Sequence, residues 1–449
     1  MRCKIGVIGA GSLAFTPNLI SDLARSSVFR GSSVILMDID NEVLAKVKRI
    51  AERVIEAQRA ELKVEGTTDR EEALKDADFV TITIGVGGVG ATQLDGKLAE
   101  KYGVYQTVAD TVGPGGFSRA LRHVPVMADI YRDIERLCPG ALVINETNPL
   151  TALCRVAKKI ADVNIVGLCS CILGAHYHVS NLLRVDDADL TLIAAGLNHF
   201  TWIREVLVKG EDAYPTLKKK IIESSVKGEK EGRSPPQPVS LKLLEAFGLL
   251  PVPGDSHMAE FFPYFLRPEF DWGRKYGLEI FPGDTIYSDE WRDNMWAKAS
   301  TWAEGRNLNE LLSGRMGEFS FAPSIMEAML QGETRFYEGV NVPNEGLVNG
   351  LPHEAIVEVP GIAGSMKVRG VPVGCLPKAI AGMLKARTEQ QELTVEAALS
   401  GEGDLALQAL LLDPLTPSID VAEKILKDIL TVHARHLPQF KRHLCSYRS

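Results

Sequence analysis

Cysteine and histidine residues at two points of the chain could together bind a divalent metal. Cys169 and Cys171 lie close together in one segment, and His199 follows further along the chain. A thiolate and an imidazole are good ligands for divalent transition metals, so Cys169 and His199 form a candidate metal site. A single histidine is more often a satisfied core or surface residue, and the sequence leaves that alternative open.

Two loops carry carboxylates that could act as an acid or a base. Asp255 and His257 lie in a segment bounded by glycine and proline, and Phe261 and Phe262 follow it. Paired polar residues among aromatic ones suit a proton-transferring group held near a substrate. Asp110 lies in a loop rich in glycine and is interpreted in the same way. In each case a solvated turn that caps a helix explains the pattern equally well.

The first predicted strand and its turn indicate a bound dinucleotide. An apolar run leads into Gly9-x-Gly11-x-x-Ala14, the spacing at which a backbone approaches a pyrophosphate and passes it to a helix N-terminus. Asp38 ends the second apolar run, where an acidic residue binds both ribose hydroxyls and favours NAD over NADP. An unrelated strand-turn-helix is the alternative. The expected cofactor contacts are Gly9, Gly11, Ser12, Leu13 and Asp38.

The elements that follow predict a parallel sheet whose carboxyl ends gather these residues. Strand-like runs alternate with helical segments up to residue 195, which is typical of a doubly wound α/β fold. The loops that contain Gly85, Asn145 and Cys169 follow three of these strands and converge where the nicotinamide should lie. Gly85 and Asn145 therefore join the expected cofactor contacts. We expect an NAD-binding Rossmann domain at 1–195 and a larger, mixed α+β domain for substrate binding and catalysis at 196–449.

The composition argues against a nucleic-acid or membrane partner. The formal net charge is −8 and the isoelectric point is near 5.7. No apolar run approaches the roughly 18 residues that a membrane span needs, and the N-terminus enters a strand with no signal peptide. We therefore expect a cytoplasmic protein. The seven cysteines are an odd number scattered through a long chain, which indicates reduced thiols.

Taken together, the motifs resemble those of the NAD-dependent glycosidases of glycoside hydrolase family 4. The resemblance runs nearly end to end, and the matching segments occur in order. They are Gly9-Ala10-Gly11-Ser12 with Phe15-Thr16, Tyr105-Gln106-Thr107 leading to Asp110-Thr111-Val112-Gly113, Asn148-Pro149, Gly167-Leu168-Cys169, Gly196-Leu197-Asn198-His199-Phe200, Gly254-Asp255-x-His257-x-x-Glu260-Phe261, Asn341-Val342-Pro343-Asn344, Leu351-Pro352 and Ala409-Leu410-Leu411-Leu412-Asp413-Pro414. The resemblance implies two domains arranged as in lactate and malate dehydrogenases, in a homodimer or homotetramer.

The resemblance also implies a reaction. In such enzymes NAD takes a hydride from C3 of the sugar, a base removes the acidified C2 proton, the aglycone leaves by elimination, water adds, and the hydride returns. A metal, usually manganese, bridges O2 and O3 as a Lewis acid. The implied residues are Cys169 and His199 for the metal, Asn148, Asn198 and His257 for the substrate, Asp255 as the C2 base, and Asp110 for aglycone departure or sugar binding.

Two departures from the family pattern bear on the substrate. The residue after the cysteine usually marks a subgroup, but here Ser170 and then Cys171 follow it, and Cys171 competes with Cys169 as a candidate ligand. The phosphosugar members tend to carry an arginine soon after the glycine loop, which a phosphate would need, and residues 89–92 contain none. We therefore expect an unphosphorylated α-galactoside or α-galacturonide. The arginines that could bind a carboxylate are Arg119, Arg122 and Arg267.

The sequence leaves three rival functions open. The Rossmann domain alone also fits a lactate- or malate-type dehydrogenase, which ends with net hydride transfer. A 6-phospho-glycosidase is the second rival, and an NAD-binding sensor without catalysis is the third.

Overall fold

One sheet forms the centre of the protein. A computed structural model describes residues 2–230, 237–283, 285–314, 320–365 and 367–442. Within these ranges, 13 strands belong to the sheet. They are β1 (Lys4–Ile8), β2 (Ser33–Met37), β3 (Lys63–Thr67), β4 (Phe79–Ile82), β5 (Leu142–Asn145), β6 (Asn164–Gly167), β7 (Leu190–Leu197), β8 (Phe200–Val208), β9 (Glu211–Asp212), β10 (Leu250–Pro251), β11 (Arg335–Pro343), β12 (Ile356–Ala363) and β13 (Val368–Gly370).

Helices cover the sheet and connect its strands. The α-helices are α1 (Thr16–Arg25), α2 (Asn41–Gln58), α3 (Arg70–Leu74), α4 (Gly88–Leu98), α5 (Gly113–Leu137), α6 (Leu150–Ile160), α7 (Cys171–Leu183), α8 (Tyr214–Lys230), α9 (Pro238–Phe247), α10 (Asp255–Ala259), α11 (Asp289–Ala303), α12 (Asn309–Leu312), α13 (Ala322–Gln331), α14 (Lys378–Ser400), α15 (Gly403–Leu411) and α16 (Ile419–Val432). Short 3-10 helices span Ser27–Phe29, Glu100–Tyr102, Asp187–Asp189, Pro268–Tyr276, Ala434–His436 and Pro438–Phe440. Among the described residues, no helix combines the length and the apolar character that crossing a membrane requires.

The strand order confirms the predicted fold class. Strands β3, β2, β1, β4, β5 and β6 are parallel neighbours in that order, which is the doubly wound Rossmann arrangement. The sheet then continues through antiparallel partners, β11, β12, β7, β8 and β10. The mixed second half therefore extends the first half at the edge where β6 lies.

Apolar sequence on both faces explains why the parallel strands are buried. Val34 and Leu36 of β2 pack in the core that contains α1 and α2, whereas Ile35 and Met37 point into the core that contains α5 and α6. Successive strand residues face opposite sides, so helices must cover both faces of the sheet. The C-terminal helix α14 returns to pack on α5 and α6. The proposed division after residue 195 falls inside β7 and stays a prediction.

Glycine is the first residue of two helices. Gly88 begins α4. The helix α5 begins at Gly113. Its first turn lies directly against the preceding loop, because a Cβ added to Gly116 would fall 2.3 Å from the carbonyl carbon of Thr111. Glycine thus permits a close approach that fixes the loop containing Asp110.

Candidate active site

The predicted cysteine and histidine meet at the carboxyl end of the parallel sheet. Cys169 follows β6, and His199 lies in the tight turn between the antiparallel strands β7 and β8, with φ of +63°. Cys169 Sγ lies 3.3 Å from His199 Nε2. The other ring nitrogen, Nδ1, lies 2.8 Å from Thr111 Oγ1. The structure therefore brings together the two residues that the sequence predicts as metal ligands.

Asp110 lies next to this pair and is surrounded by hydrogen-bond donors. Its Oδ1 accepts from Thr111 Oγ1 at 2.7 Å. Its Oδ2 accepts from Asn148 Nδ2 at 2.9 Å and from the Tyr287 hydroxyl at 3.1 Å. Sequence reasoning found Asp110 and Asn148 but missed Tyr287, which no motif marks.

The Thr111 hydroxyl determines which nitrogen of the neutral His199 ring carries the proton. The hydroxyl has a single proton and donates it to Asp110, so its oxygen accepts from His199 Nδ1–H. When neutral, the imidazole then presents the lone pair of Nε2 toward Cys169 Sγ, as in histidine ligands whose second nitrogen is hydrogen-bonded.

Cys171 and Cys169 are a hydrogen-bonded pair of cysteines that holds one proton. A hydrogen bond from the Cys171 thiol holds the pKa of Cys169 well below its usual value against the opposing effect of burial, and His199 lowers it further. The same hydrogen bond, together with burial, raises the pKa of Cys171 well above its usual value. Cys169 is therefore the thiolate of the pair and Cys171 its donor.

His257 packs against His199. The two ring centroids lie 4.0 Å apart, and the ring planes are tilted by 38°. Burial lowers the pKa of His257 to about 4, and positive charge on His199 adds to this effect. Within the described ranges, no residue forms a hydrogen bond with the ring nitrogens of His257. The side chain is therefore a neutral imidazole beside the cluster.

Glu260 holds the loop that carries Asp110. Its Oε1 accepts hydrogen bonds from the backbone N–H groups of Thr107, Val108 and Ala109, at 2.7, 2.7 and 2.9 Å. Ala109 has φ of +59°, so the loop turns sharply just before Asp110. The sequence placed Glu260 in a motif without assigning it this positioning role.

The stability of the protein should depend on the titration of Glu260. Burial raises its pKa from 4.5 to about 7, although the three backbone donors oppose the shift. Such a carboxyl stabilises the fold fully below its unfolded pKa and loses that contribution as pH rises through its folded pKa. The wild type should therefore lose stability relative to Glu260→Gln as the pH rises. The difference between their free energies of unfolding should fall by up to about 3 kcal/mol between about pH 5 and 8.

Urea denaturation of the metal-free protein at several pH values measures this difference. The matched control is Glu65→Gln, a change at an exposed position, for which the difference should stay flat. A difference for Glu260→Gln that stays flat or rises with pH would contradict the role of burial.

Two predicted site residues also support neighbouring parts of the structure. Asp255 caps α9, because its Oδ2 accepts from the Val239 N–H and its Oδ1 from the Ser240 N–H, both at 2.8 Å. Asn198 is wholly buried, its amide donates to Glu358 Oε1 at 3.3 Å, and its Oδ1 has no partner among the described residues. The assignment of Asn198 to the substrate stays a prediction.

Asn145 shapes the turn that leads to Asn148. It is wholly buried at the end of β5. Its Oδ1 accepts from the Thr147 N–H at 3.2 Å, and its Nδ2 donates to the Thr147 carbonyl at 3.1 Å. Its role as a cofactor contact stays a prediction.

The first turn of the sheet has the open backbone that a pyrophosphate needs. Gly9 has φ of +82°, and a Cβ there would fall 2.6 Å from the Thr83 carbonyl oxygen. Gly11 N–H donates to Asp38 Oδ2 at 2.8 Å, which fixes the carboxylate beside the turn. The N–H group of Leu13 makes no hydrogen bond to the residues that the structure describes. The glycine turn and Asp38 are therefore in contact, as predicted, and among the described residues the Leu13 N–H has no acceptor.

Further surfaces near this turn fit a dinucleotide. Ile39 follows Asp38 and is 90% exposed, so an apolar side chain is available to a flat base. Ser12 N–H is used within the turn, on the Gly9 carbonyl at 3.2 Å. A Cβ on Gly85 would meet nothing within 4 Å, so there is open space beside the loop after β4.

Only one of the three candidate arginines lies at the cluster. Arg119 donates to the Asn148 carbonyl at 2.9 Å, and its guanidinium lies 5.6 Å from the Tyr287 ring centroid. Arg122 is wholly buried in an ion pair with Asp95 and is not available to a ligand. Arg267 is exposed and pairs with Glu269. A substrate carboxylate therefore has Arg119 as its nearest candidate.

The class of protein follows from this arrangement: a Rossmann-fold protein in which a thiolate, imidazole and carboxylate cluster faces the dinucleotide turn. Comparison with known proteins names the family. Residues 4–185 match the family 4 glycosyl hydrolase model, and residues 194–416 match the model of the family 4 C-terminal domain. The chain belongs to glycosyl hydrolase family 4, which confirms the resemblance found in the sequence.

Individual relatives match along their whole length. The chain is 31% identical to an alpha-galactosidase from Bacillus subtilis (strain 168), over 98% of this chain and 100% of that protein. It is 31% identical to an alpha-galacturonidase from Thermoanaerobacterium saccharolyticum, over 97% of each. A solved 6-phospho-alpha-glucosidase from gut microorganisms, in complex with NAD and Mn²⁺, superposes with a TM-score of 0.82 at 25% identity, covering 98% of this chain and 100% of that one.

Proposed function

We propose that this family 4 glycosidase depends on NAD and a divalent metal and hydrolyses a small unphosphorylated glycoside, an α-galactoside or α-galacturonide. The observation that carries the proposal is the cluster of Cys169, His199 and Asp110 at the carboxyl end of the Rossmann sheet. The relatives named alpha-galactosidase and alpha-galacturonidase support a galactoside or a galacturonide as the substrate. Arg119 lies beside Asn148, and its positive charge supports the galacturonide as one of these two substrates.

The residues fit a metal by their chemistry and by the charge around them. Cys169 Sγ and His199 Nε2 would hold the ion, since they lie 3.3 Å apart and each would offer a lone pair once an ion displaces the proton of the hydrogen bond between them. Burial raises the pKa of Glu146 and of Glu358 to about 7, and the negative charge of the Cys169 thiolate contributes to both shifts. An excess of buried negative charge is relieved by a bound cation.

The dinucleotide would be held by the first turn of the sheet. The Leu13 N–H is free to bind a pyrophosphate, Asp38 suits the ribose hydroxyls, and Ile39 suits the adenine. A dinucleotide bound there would supply reversible hydride transfer with the sugar, and a metal held by Cys169 and His199 would supply Lewis-acid polarisation of the sugar oxygens.

Asp110 is set to accept a proton. All three of its side-chain partners, Thr111, Asn148 and Tyr287, donate to it, so its carboxylate is held ionised. We assign Asp110 to the sugar hydroxyl that loses its proton when C3 is oxidised, and not to protonation of the aglycone. Asn148 would then orient the hydroxyls beside it.

Two groups compete for removal of the C2 proton. Asp255 is our proposed base from the family motif, and burial raises its pKa, although Ser240 and Val239 oppose the shift. His257 is the rival because it is neutral, its ring nitrogens make no hydrogen bond to described residues, and it packs against His199. Asp255 also caps the start of α9, whereas His257 makes no such cap.

Exchange of the C2 proton with deuterated solvent separates the two. If Asp255 is the base, Asp255→Asn should lower the exchange rate by about 10²- to 10⁴-fold, while His257→Asn retains most of it. NMR of the sugar during turnover measures the exchange, and the melting temperature reports the loss of the helix cap. A lower melting temperature with unchanged exchange for Asp255→Asn, and lost exchange for His257→Asn, would transfer the role to His257.

Release of 4-nitrophenol from aryl glycosides tests the overall function. With NAD, a divalent metal and a thiol reductant, the α-galactoside or α-galacturonide should be hydrolysed while the amount of NAD stays unchanged. Stoichiometric NADH would instead indicate a dehydrogenase, and activity restricted to 6-phosphorylated glycosides would indicate a phosphoglycosidase. No turnover of any glycoside would favour the NAD-binding sensor. A cytoplasmic location and a homodimer or homotetramer stay predictions.

A further inference from the structure

We propose that Cys171 is a third protein ligand of the metal, which makes the centre a two-thiolate, one-imidazole site selective for thiophilic divalent ions such as Zn²⁺, Co²⁺ and Fe²⁺ over Mn²⁺. The inference rests on the metal requirement of the proposed function and names the class of metal. It depends on where the structure places three donor atoms.

The three donor atoms already have the spacing of a metal site. The sulfurs of Cys169 and Cys171 and a ring nitrogen of His199 all lie within 4.8 Å of one another. The contact between Cys169 Sγ and His199 Nε2 is 3.3 Å. In a tetrahedral zinc site with bonds of about 2.3 Å to sulfur and 2.0 Å to nitrogen, ligand atoms are separated by roughly 3.5 to 3.8 Å. Only small side-chain movements are therefore needed to bind an ion at all three.

The position of Cys171 on its helix favours a ligand role. Cys171 is the first residue of α7, where the helix dipole would stabilise the thiolate that forms when a bound metal displaces the thiol proton. Its side chain also lines a cavity of about 220 Å³ between α7 and the segment around Pro253. The cavity gives an ion access to the sulfur from outside the core. Cys171 thus lies between this cavity and Cys169.

Charge balance gives a reason for the second thiolate. Two thiolates and a neutral imidazole neutralise a dication, so the complete centre adds no net charge beside Asp110 and Glu358. Three protein ligands of this kind with one open position form a known arrangement of catalytic zinc. Soft thiolates select zinc, cobalt and iron, whereas Mn²⁺ prefers oxygen ligands and stands lowest in the usual affinity order. A second sulfur therefore moves the preference away from manganese.

Cobalt spectroscopy counts the sulfurs that bind. Co²⁺ is titrated into the metal-free full chain, and the sulfur-to-cobalt charge-transfer band is compared between the wild type, Cys171→Ser and the control Cys375→Ser, whose cysteine is exposed. The wild type should show about twice the band intensity of Cys171→Ser, and the control should match the wild type. The Zn²⁺ affinity of Cys171→Ser should fall at least about tenfold, with a smaller loss for Mn²⁺.

Equal charge-transfer intensity in the wild type and Cys171→Ser would overturn the proposal, and so would the absence of any cobalt binding. Alkylation of the wild type avoids the question of whether the variant folds. With Zn²⁺ bound, mass spectrometry should find Cys169 and Cys171 both protected from iodoacetamide while Cys375 reacts. Protection of Cys169 alone would also overturn it. Neither measurement uses turnover. A failure of this metal-ligand proposal is therefore distinguishable from a failure of the proposed glycoside hydrolysis.

Discussion

Replacing Cys169 by serine is expected to lower kcat/KM for an aryl glycoside by about 10³-fold, because loss of the metal removes several kcal/mol of transition-state stabilisation. The serine hydroxyl stays neutral at the pH where Cys169 is a thiolate, since the hydrogen bond from Cys171 and the nearby His199 favour the ionised sulfur. The variant should bind divalent metal more weakly at every pH near neutrality. Initial rates at saturating NAD and metal, with separate metal titrations, measure both losses.

The control for this substitution is Cys375→Ser, which removes an exposed thiol with no assigned role and should retain the wild-type rate. Wild-type protein that is oxidised while metal-free should stay inactive when metal is added back, and a thiol reductant should restore its activity, since only a thiolate coordinates. If Cys169→Ser keeps its kcat/KM within about tenfold of the wild type, Cys169 is not the ligand on which catalysis depends.

The parallel half of the fold could be predicted because its signals are local. A buried parallel strand needs apolar residues on both faces, and β1, β2, β4 and β5 each show this as a continuous run. The glycine turn at Gly9 could also be predicted from local sequence, because its positive φ favours glycine. Cys169 could be placed because loops after parallel strands meet at one edge. Asp110 lies beyond α4 and was found through its glycine-rich loop.

Residues that reach the site through long-range contacts could not be predicted. Tyr287 is separated from Asp110 by 177 residues, and no pattern near either one indicates that they touch. Glu358 carries no visible signal for its hydrogen bond to Asn198, because the two residues are 160 positions apart in the chain. The close packing at Gly115 and Gly116 in the first turn of α5 could likewise not be predicted, because glycine there also suits a loop.

Replacing Asp110 by asparagine is expected to lower kcat by about 10²- to 10⁴-fold, and by the same factor for every leaving group. Asparagine keeps the size of the side chain but cannot take a proton, and its amide N–H₂ would face one of the donors on Asn148 and Tyr287. The ionised carboxylate acts at the oxidation of C3, which precedes departure of the aglycone. The loss should therefore not depend on how good the leaving group is.

A series of aryl and alkyl glycosides with leaving groups of different pKa tests this assignment. Asp110→Asn should lower all members in parallel, and a substrate deuterated at C3 should show a larger isotope effect in the variant. Tyr287→Phe is the matched control, because it removes one donor to Asp110 without removing the carboxylate and should cost about tenfold in kcat. A loss that grows as the leaving group becomes poorer would show that Asp110 protonates the aglycone, because general-acid help matters most when departure is hardest.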